Sequence, residues 1–144
     1  MAIAIAAVLV AAGLSVTPPA AALTADCNED FDIADSKSLA SIRDLNPGES
    51  ENGREDVSAV TGDETLHMEL VDAGADGELT WTVYHEPSSC EEYTAGGCDQ
   101  TNVLDTETEV TCTLNAPNSG MKDYFVVFEE TNDNNQIDYR AWAS

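Results

Sequence analysis

The residues of this chain that could do chemistry are few and scattered. Glu130, Asn132 and Asn134, spaced two apart with Asp138 beyond them, set hard oxygen donors on an Asn-rich turn at the alternating spacing of a calcium-binding loop. These four are the candidate ligands for Ca2+. Glu in place of Asp at the first position, Asn135 in place of the usual Gly, and Ala141 where a bidentate Glu would fall leave a plain Asn-rich turn as the competing reading. Tyr84, Phe125 and Trp142 fall on the strand faces opposite the more regular apolar stripes, so their rings are candidates for stacking on a sugar or a partner surface. The second face of a core is the competing role for them. There are only two histidines, His67 and His85, and neither G-x-S-x-G nor H-E-x-x-H occurs, so both read as surface or rim residues rather than as bases. Carboxylate neighbours such as Glu91-Glu92 and Glu129-Glu130 are expected from composition alone and do not define an acid/base pair.

Composition says where such a chain works. There are 28 Asp and Glu against five Lys and Arg, a net charge of −23, which excludes nucleic acid as a partner. In dilute buffer the domain repels itself, whereas in molar salt the Debye length falls to about 3 Å and the repulsion largely vanishes. A halophilic setting is expected, with an ordinary acidic secreted protein, its charge serving solubility, as the alternative. Residues 2–16 are uncharged and apolar, short of the ~20 needed to span a bilayer, and are followed by Thr17-Pro18-Pro19 and Ala20-Ala21-Ala22. They read as a signal peptide, residues 1–22, cleaved after Ala22. No Lys or Arg precedes the apolar run, so a retained anchor is the alternative, and only then is the membrane a partner.

Four cysteines, Cys27, Cys90, Cys98 and Cys112, in an exported chain predict two disulfides among three connectivities. Cys90 with Cys98 is expected, because the Gly-containing stretch between them closes readily, leaving Cys27 with Cys112. The irregular cysteine spacing, without a C-x-x-C pair, does not suit zinc.

The elements that must position these groups are strands. Residues 23–38 are polar and read as irregular, with Phe31 and Ile33 as apolar anchors. Strands are expected over 39–45, ended by the Asn46-Pro47-Gly48-Glu49 turn, and over 56–60, 66–70, 79–85, 110–114, 123–129 and 137–142. Residues 123–129 are apolar on both faces, which suits a central strand, and with 137–142 they suggest a C-terminal hairpin around the Asn-rich tip. No helical period follows the leader. The fold expected for residues 39–144 is all-β: an antiparallel β-sandwich, jelly-roll or Ig-like, of about seven to eight strands.

Leu45-Asn46-Pro47-Gly48-Glu49-Ser50, Val71-Asp72-Ala73-Gly74, the strand from Leu79 to Tyr84, and Asp123-Tyr124-Phe125-Val126-Val127 with Asp138-Tyr139 carry a resemblance. Over about residues 39–144 the chain resembles bacterial and archaeal pre-peptidase C-terminal domains. The resemblance implies a β-sandwich attached to secreted enzymes, associating with substrate or surface, often with calcium, and without catalysis. The leading expectation is a non-catalytic extracellular or cell-surface module with a structural, adhesive or assembly role. Self-assembly would use an unpaired edge strand or the segment 23–35. A calcium-assisted carbohydrate- or surface-binding module is the alternative, and a secreted hydrolase using carboxylates is the third reading.

Overall fold

Apolar residues recurring every second position put Leu66, Met68 and Leu70 on one side of strand β4 (Glu64–Asp72) and Leu79, Trp81 and Val83 on one side of β5 (Leu79–His85), and all six are fully buried. The computed structural model describes residues 27–74, 77–85, 90–103, 106, 108–132 and 135–144; the expected leader and Asn134 lie outside them. The described residues form ten strands in two stacked sheets, four of the strands only two or three residues long. The larger sheet runs β1 (Phe31–Asp32), β3 (Ser50–Ser58), β9 (Met121–Glu130), β5 and β6 (Glu91–Glu92), with β7 (Thr101–Val103) also pairing β5. The smaller runs β2 (Arg43–Leu45), β10 (Ile137–Ala143), β4 and β8 (Glu109–Leu114). Strand pairing is antiparallel except for β1 on β3 and the bridge of Ala34 to Trp142. The β-sandwich expected from the pattern is the fold observed.

Strand β9 is central, flanked by β3 and β5, as its two apolar faces require. Tyr124, Val126 and Phe128 point into the core while Phe125 and Val127 lie on the outer face. The C-terminal hairpin does not form. Both edges of β9 are occupied, so the chain crosses to the smaller sheet, where β10 inserts between β2 and β4. The first expected strand shortens to β2: the N–H groups of Leu39 and Ala40 both donate to the Ser36 carbonyl, and Leu39 and Ile42 are left exposed. Strand β3 begins earlier and ends earlier than the weak strand read at 56–60, and Val60 stands in the following turn. The Asn46–Glu49 turn forms with Gly48 at φ 73°, as a type II corner needs, and Glu49 N–H donates to the Asn46 carbonyl at 2.9 Å.

The segment before β2 is knitted into both sheets. Phe31 and Ile33 lie against Gly53 of β3, where a Cβ would sit 2.9 Å from the Ile33 side chain, so only glycine admits this approach. Beyond β1, Ala143 N–H donates to the Ala34 carbonyl at the edge of the smaller sheet. Between the sheets, Arg43 forks onto Glu51 at 2.8 and 3.0 Å, Tyr139 donates its hydroxyl to the same carboxylate at 2.9 Å, and the guanidinium lies 3.9 Å over Phe31. Hydrogen bonding to Arg43 holds the Glu51 carboxyl below its ordinary range, while burial raises the Tyr139 phenol.

The disulfides pair differently from the sequence expectation. Cys27 bonds Cys90 and Cys98 bonds Cys112, with Cα separations of 5.6 and 4.9 Å. The loop between Cys90 and Cys98 is not free to close on itself, because Glu91 and Glu92 pair with β5 and Tyr93 is inserted into the core. Tyr93 N–H donates to the Val83 carbonyl, its hydroxyl donates to the Thr113 carbonyl, and Asn115 N–H donates to that hydroxyl. This anchor carries Cys98 to β8 and leaves Cys90 beside the larger sheet. Cys27 precedes β1 and Cys90 precedes β6, which stand at opposite ends of the sheet order, so their bridge ties the two ends of the larger sheet together. Glu29 reaches Arg54 at 3.2 Å, and Phe125, paired with Arg54 and on the outer face, is 5% exposed. The segment from Cys27 to Glu29 is a strap that the bridge and the Glu29–Arg54 pair hold to the larger sheet.

Candidate functional site

Two outer faces and one turn hold the residues singled out from the sequence. On the smaller sheet, cross-strand neighbours His67 and Trp142 stack with ring centroids 4.9 Å apart and planes 8° apart, and Lys37 lies 4.9 Å over the indole. Trp142 is 4% exposed, so both of its candidate stacking partners come from the chain itself. Lys37 also binds Glu69 at 3.0 Å and Glu109 at 3.6 Å, and Arg140 binds Glu69 at 2.5 Å. The hydrogen bond from Arg140, then that from Lys37, keeps the buried Glu69 carboxyl ionised below its usual range.

This face contains an arrangement that the sequence did not disclose. His67 Nδ1 lies 2.8 Å from Glu109 Oε1, and Nε2 lies 2.9 Å from Ser144 Oγ. An acid, an imidazole and a hydroxyl in a row have the geometry of an activated nucleophile. Ser144 N–H is donated to the Thr65 carbonyl at 3.0 Å, and the imidazole is stacked on Trp142. The row acts as part of the latch that holds the Lys37 segment to the sheet. His85, by contrast, points inward between Tyr93 and Tyr124, and burial followed by the nearby Lys122 charge lowers its pKa, so it is neutral at pH 7.

Of the calcium candidates, Glu130, Asn132 and Asp138 lie among the described residues and Asn134 does not. Glu130 is 2% exposed, and its carboxylate accepts the N–H groups of Gly48 at 3.1 Å and Asn132 at 2.9 Å, tying the turn after β9 to the turn before β3. Asp138 is in β10, opposite Asp44 of β2 and Asp72 of β4. Among the described residues no three His, Cys, Asp or Glu side chains gather closely enough for a metal ion.

The outer face of the larger sheet holds the remaining candidates, Tyr84 and Phe125, directly opposite each other across β5 and β9. Phe125 is 5% exposed, while Tyr84 is half-buried. Next to them runs a row of neutral polar groups. Thr80 donates its hydroxyl to Asn102 Oδ1 at 3.0 Å, and Gln100 donates Nε2 to Thr82 Oγ1 at 3.3 Å. The anchored ends fix both amides, and the outward ends are the Asn102 amino group and the Gln100 carbonyl oxygen, a donor beside an acceptor. Both residues are exposed, and Glu92 and Glu129 border them. Gln100 and Asn102 escaped the sequence reading because β7 is three residues long and pairs only with β5.

No protein-family model matches the sequence, and no curated protein matches it. Among solved structures, the chain is similar to the pre-peptidase C-terminal domain of the collagenase from Bacillus anthracis, at 10% identity and a TM-score of 0.48, covering 83% of this chain and 99% of that one. It is also similar to a structure of infectious bursal disease virus, Gt strain, at 11% identity and a TM-score of 0.38, covering 77% of this chain and 29% of that one. A third similarity is to carbohydrate-binding modules of promiscuous specificity from the β-sandwich superfamily, at 11% identity and a TM-score of 0.36, covering 76% of this chain and 60% of that one.

Proposed function

We propose that this chain is a non-catalytic extracellular or cell-surface module that adheres to a neutral polysaccharide through the outer face of its larger sheet. One observation carries the reading: the fixed donor and acceptor at Asn102 and Gln100, held by Thr80 and Thr82 beside the Tyr84 ring. Vicinal hydroxyls of a sugar offer the complementary acceptor and donor, and an aromatic ring packs against the C–H face of a pyranose. Amides already held in place lose little further freedom on binding. The ligand is neutral because the surrounding carboxylates, within a net charge of −23, repel anionic polymers. Two disulfides and the absence, among the described residues, of a helix long and apolar enough to cross a membrane are compatible with work outside the cytosol.

The test is co-sedimentation with insoluble neutral polysaccharides in molar salt, comparing the native chain with Tyr84→Ala and Asn102→Ala. Retention lost in both variants, with unchanged circular dichroism and no sugar released, is expected. Retention unaffected by either change, or steady release of soluble sugar, overturns the proposal.

A further inference from the structure

The outer face of the larger sheet carries a carboxylate to which the polysaccharide reading has so far given no part. Along β9, Tyr124, Val126 and Phe128 face the core, so Glu129 shares the outward side with Phe125 and Val127. It stands directly across from Thr80, and Thr80 stands across from Asn102. Asn102, Thr80 and Glu129 therefore form one row over β7, β5 and β9. At about 4.8 Å per strand, the outer two are roughly 10 Å apart at the backbone.

The middle of the row is closed and its two ends are open. Thr80 is 2% exposed, and its hydroxyl is taken up by Asn102 at 3.0 Å and Thr131 at 3.3 Å. Asn102 is exposed and Glu129 is half-buried. A half-buried carboxylate ordinarily recruits a donor. Among the described residues no side-chain donor or cation serves Glu129, and burial alone raises its pKa. Its charge reaches the same ring that the polysaccharide reading uses, since burial, then Glu92, then Glu129 raise the Tyr84 phenol.

The missing donors describe the ligand. A carboxylate held in one place offers two oxygens side by side, and a vicinal diol offers two hydroxyls at matching spacing. Hydrogen bonds to an ionised acceptor are about twice as strong as neutral ones. We propose that Glu129 is a specificity-determining residue of this face: its carboxylate accepts a second pair of vicinal hydroxyls, across β5 from the pair held by Asn102 and Gln100, so the site selects sugar chains with unsubstituted diols on both edges. The inference rests on the polysaccharide reading and adds to it the hydroxyls that must be free.

Depletion isotherms in molar salt with amorphous cellulose, xylan and mannan, each with its secondary hydroxyls free or acetylated, test this. The native chain should bind at least one free polymer and lose affinity on acetylation. Glu129→Gln, with circular dichroism unchanged, should bind that free polymer about tenfold less tightly and shrink the loss on acetylation about tenfold, because the loss that remains belongs to the amides. A residue that only supported the fold would leave the acetylation loss at its native size. An acetylation loss of the same size in Glu129→Gln, with retention still abolished in Asn102→Ala, overturns this inference and leaves the polysaccharide reading standing. Failure of the native chain to bind any of the three polymers overturns both.

Discussion

Removing the Cys27–Cys90 bridge tests how this sandwich holds its N-terminal segment. The bridge closes a loop with a sequence separation of 63, for which the chain-entropy relation gives about 4 kcal/mol of stabilisation at 25 °C. Its loss has a second consequence: the strap keeps only the Glu29–Arg54 pair and the short β1 pairing to hold it to the larger sheet. The Cys98–Cys112 bridge, separation 14, is worth about 3 kcal/mol by the same relation. The two loops do not overlap, so their effects should add. For a chain of this length the double substitution Cys27→Ser with Cys90→Ser should lower Tm by roughly 10–20 °C. Urea denaturation with limited proteolysis is the assay: the variant should be cut within residues 27–42 well before the rest of the domain opens. A loss under about 1 kcal/mol, or unchanged resistance of that segment, would refute the view that the strap depends on the bridge.

Three further outcomes follow from particular side chains. The folded-state pKa of Glu55, about 8, lies above its ordinary value of 4.5, so its contribution to stability is full below about pH 4.5 and is lost as pH rises through 8; relative to the native chain, Glu55→Gln should gain of order 3–5 kcal/mol at pH 9 and little at pH 4, and parallel urea curves for the two proteins would sink the assignment. All five cations are engaged, Lys37, Arg43, Arg54 and Arg140 in ion pairs and Lys122 over the rings of Tyr93 and Tyr124, which leaves most of the 28 carboxylates to repel one another; Tm should therefore climb steeply from low to molar NaCl, and a flat response contradicts this. Glu130→Ala strands the Gly48 and Asn132 N–H groups and should cost about 2–4 kcal/mol by chemical denaturation; a calcium-specific rise in Tm that disappears in this variant would show instead that Glu130 is a metal ligand.

The parts of the fold set by local pattern were legible. Alternation over 79–85 and the two apolar faces around Phe125–Phe128 placed β5 and the central β9 from the residues alone. Partner choice was not legible where it depends on distant strands. Residues 123–142 read as a hairpin because hairpins join neighbouring strands, but β3 and β5 occupy both edges of β9. Cys90 and Cys98 looked like partners because they are close in sequence, and only the insertion of Tyr93 between the sheets separates them. The aromatic candidates divided by exposure: Trp142 stacked with His67 and Lys37, Phe125 buried, Tyr84 in part open. Glu55 had a readable signal, since it shares the parity of Gly53 and Val57 on β3, but in so acidic a chain one more Glu does not stand out.

The proposed function depends most on where a ligand touches the molecule. Amide chemical shifts recorded in molar salt during titration with neutral oligosaccharides measure this directly. Changes confined to Thr80–Tyr84 and Gln100–Asn102, and lost in Asn102→Ala, are the result expected. Changes centred on the smaller sheet around His67 and Trp142, or none with any oligosaccharide tried, would contradict it.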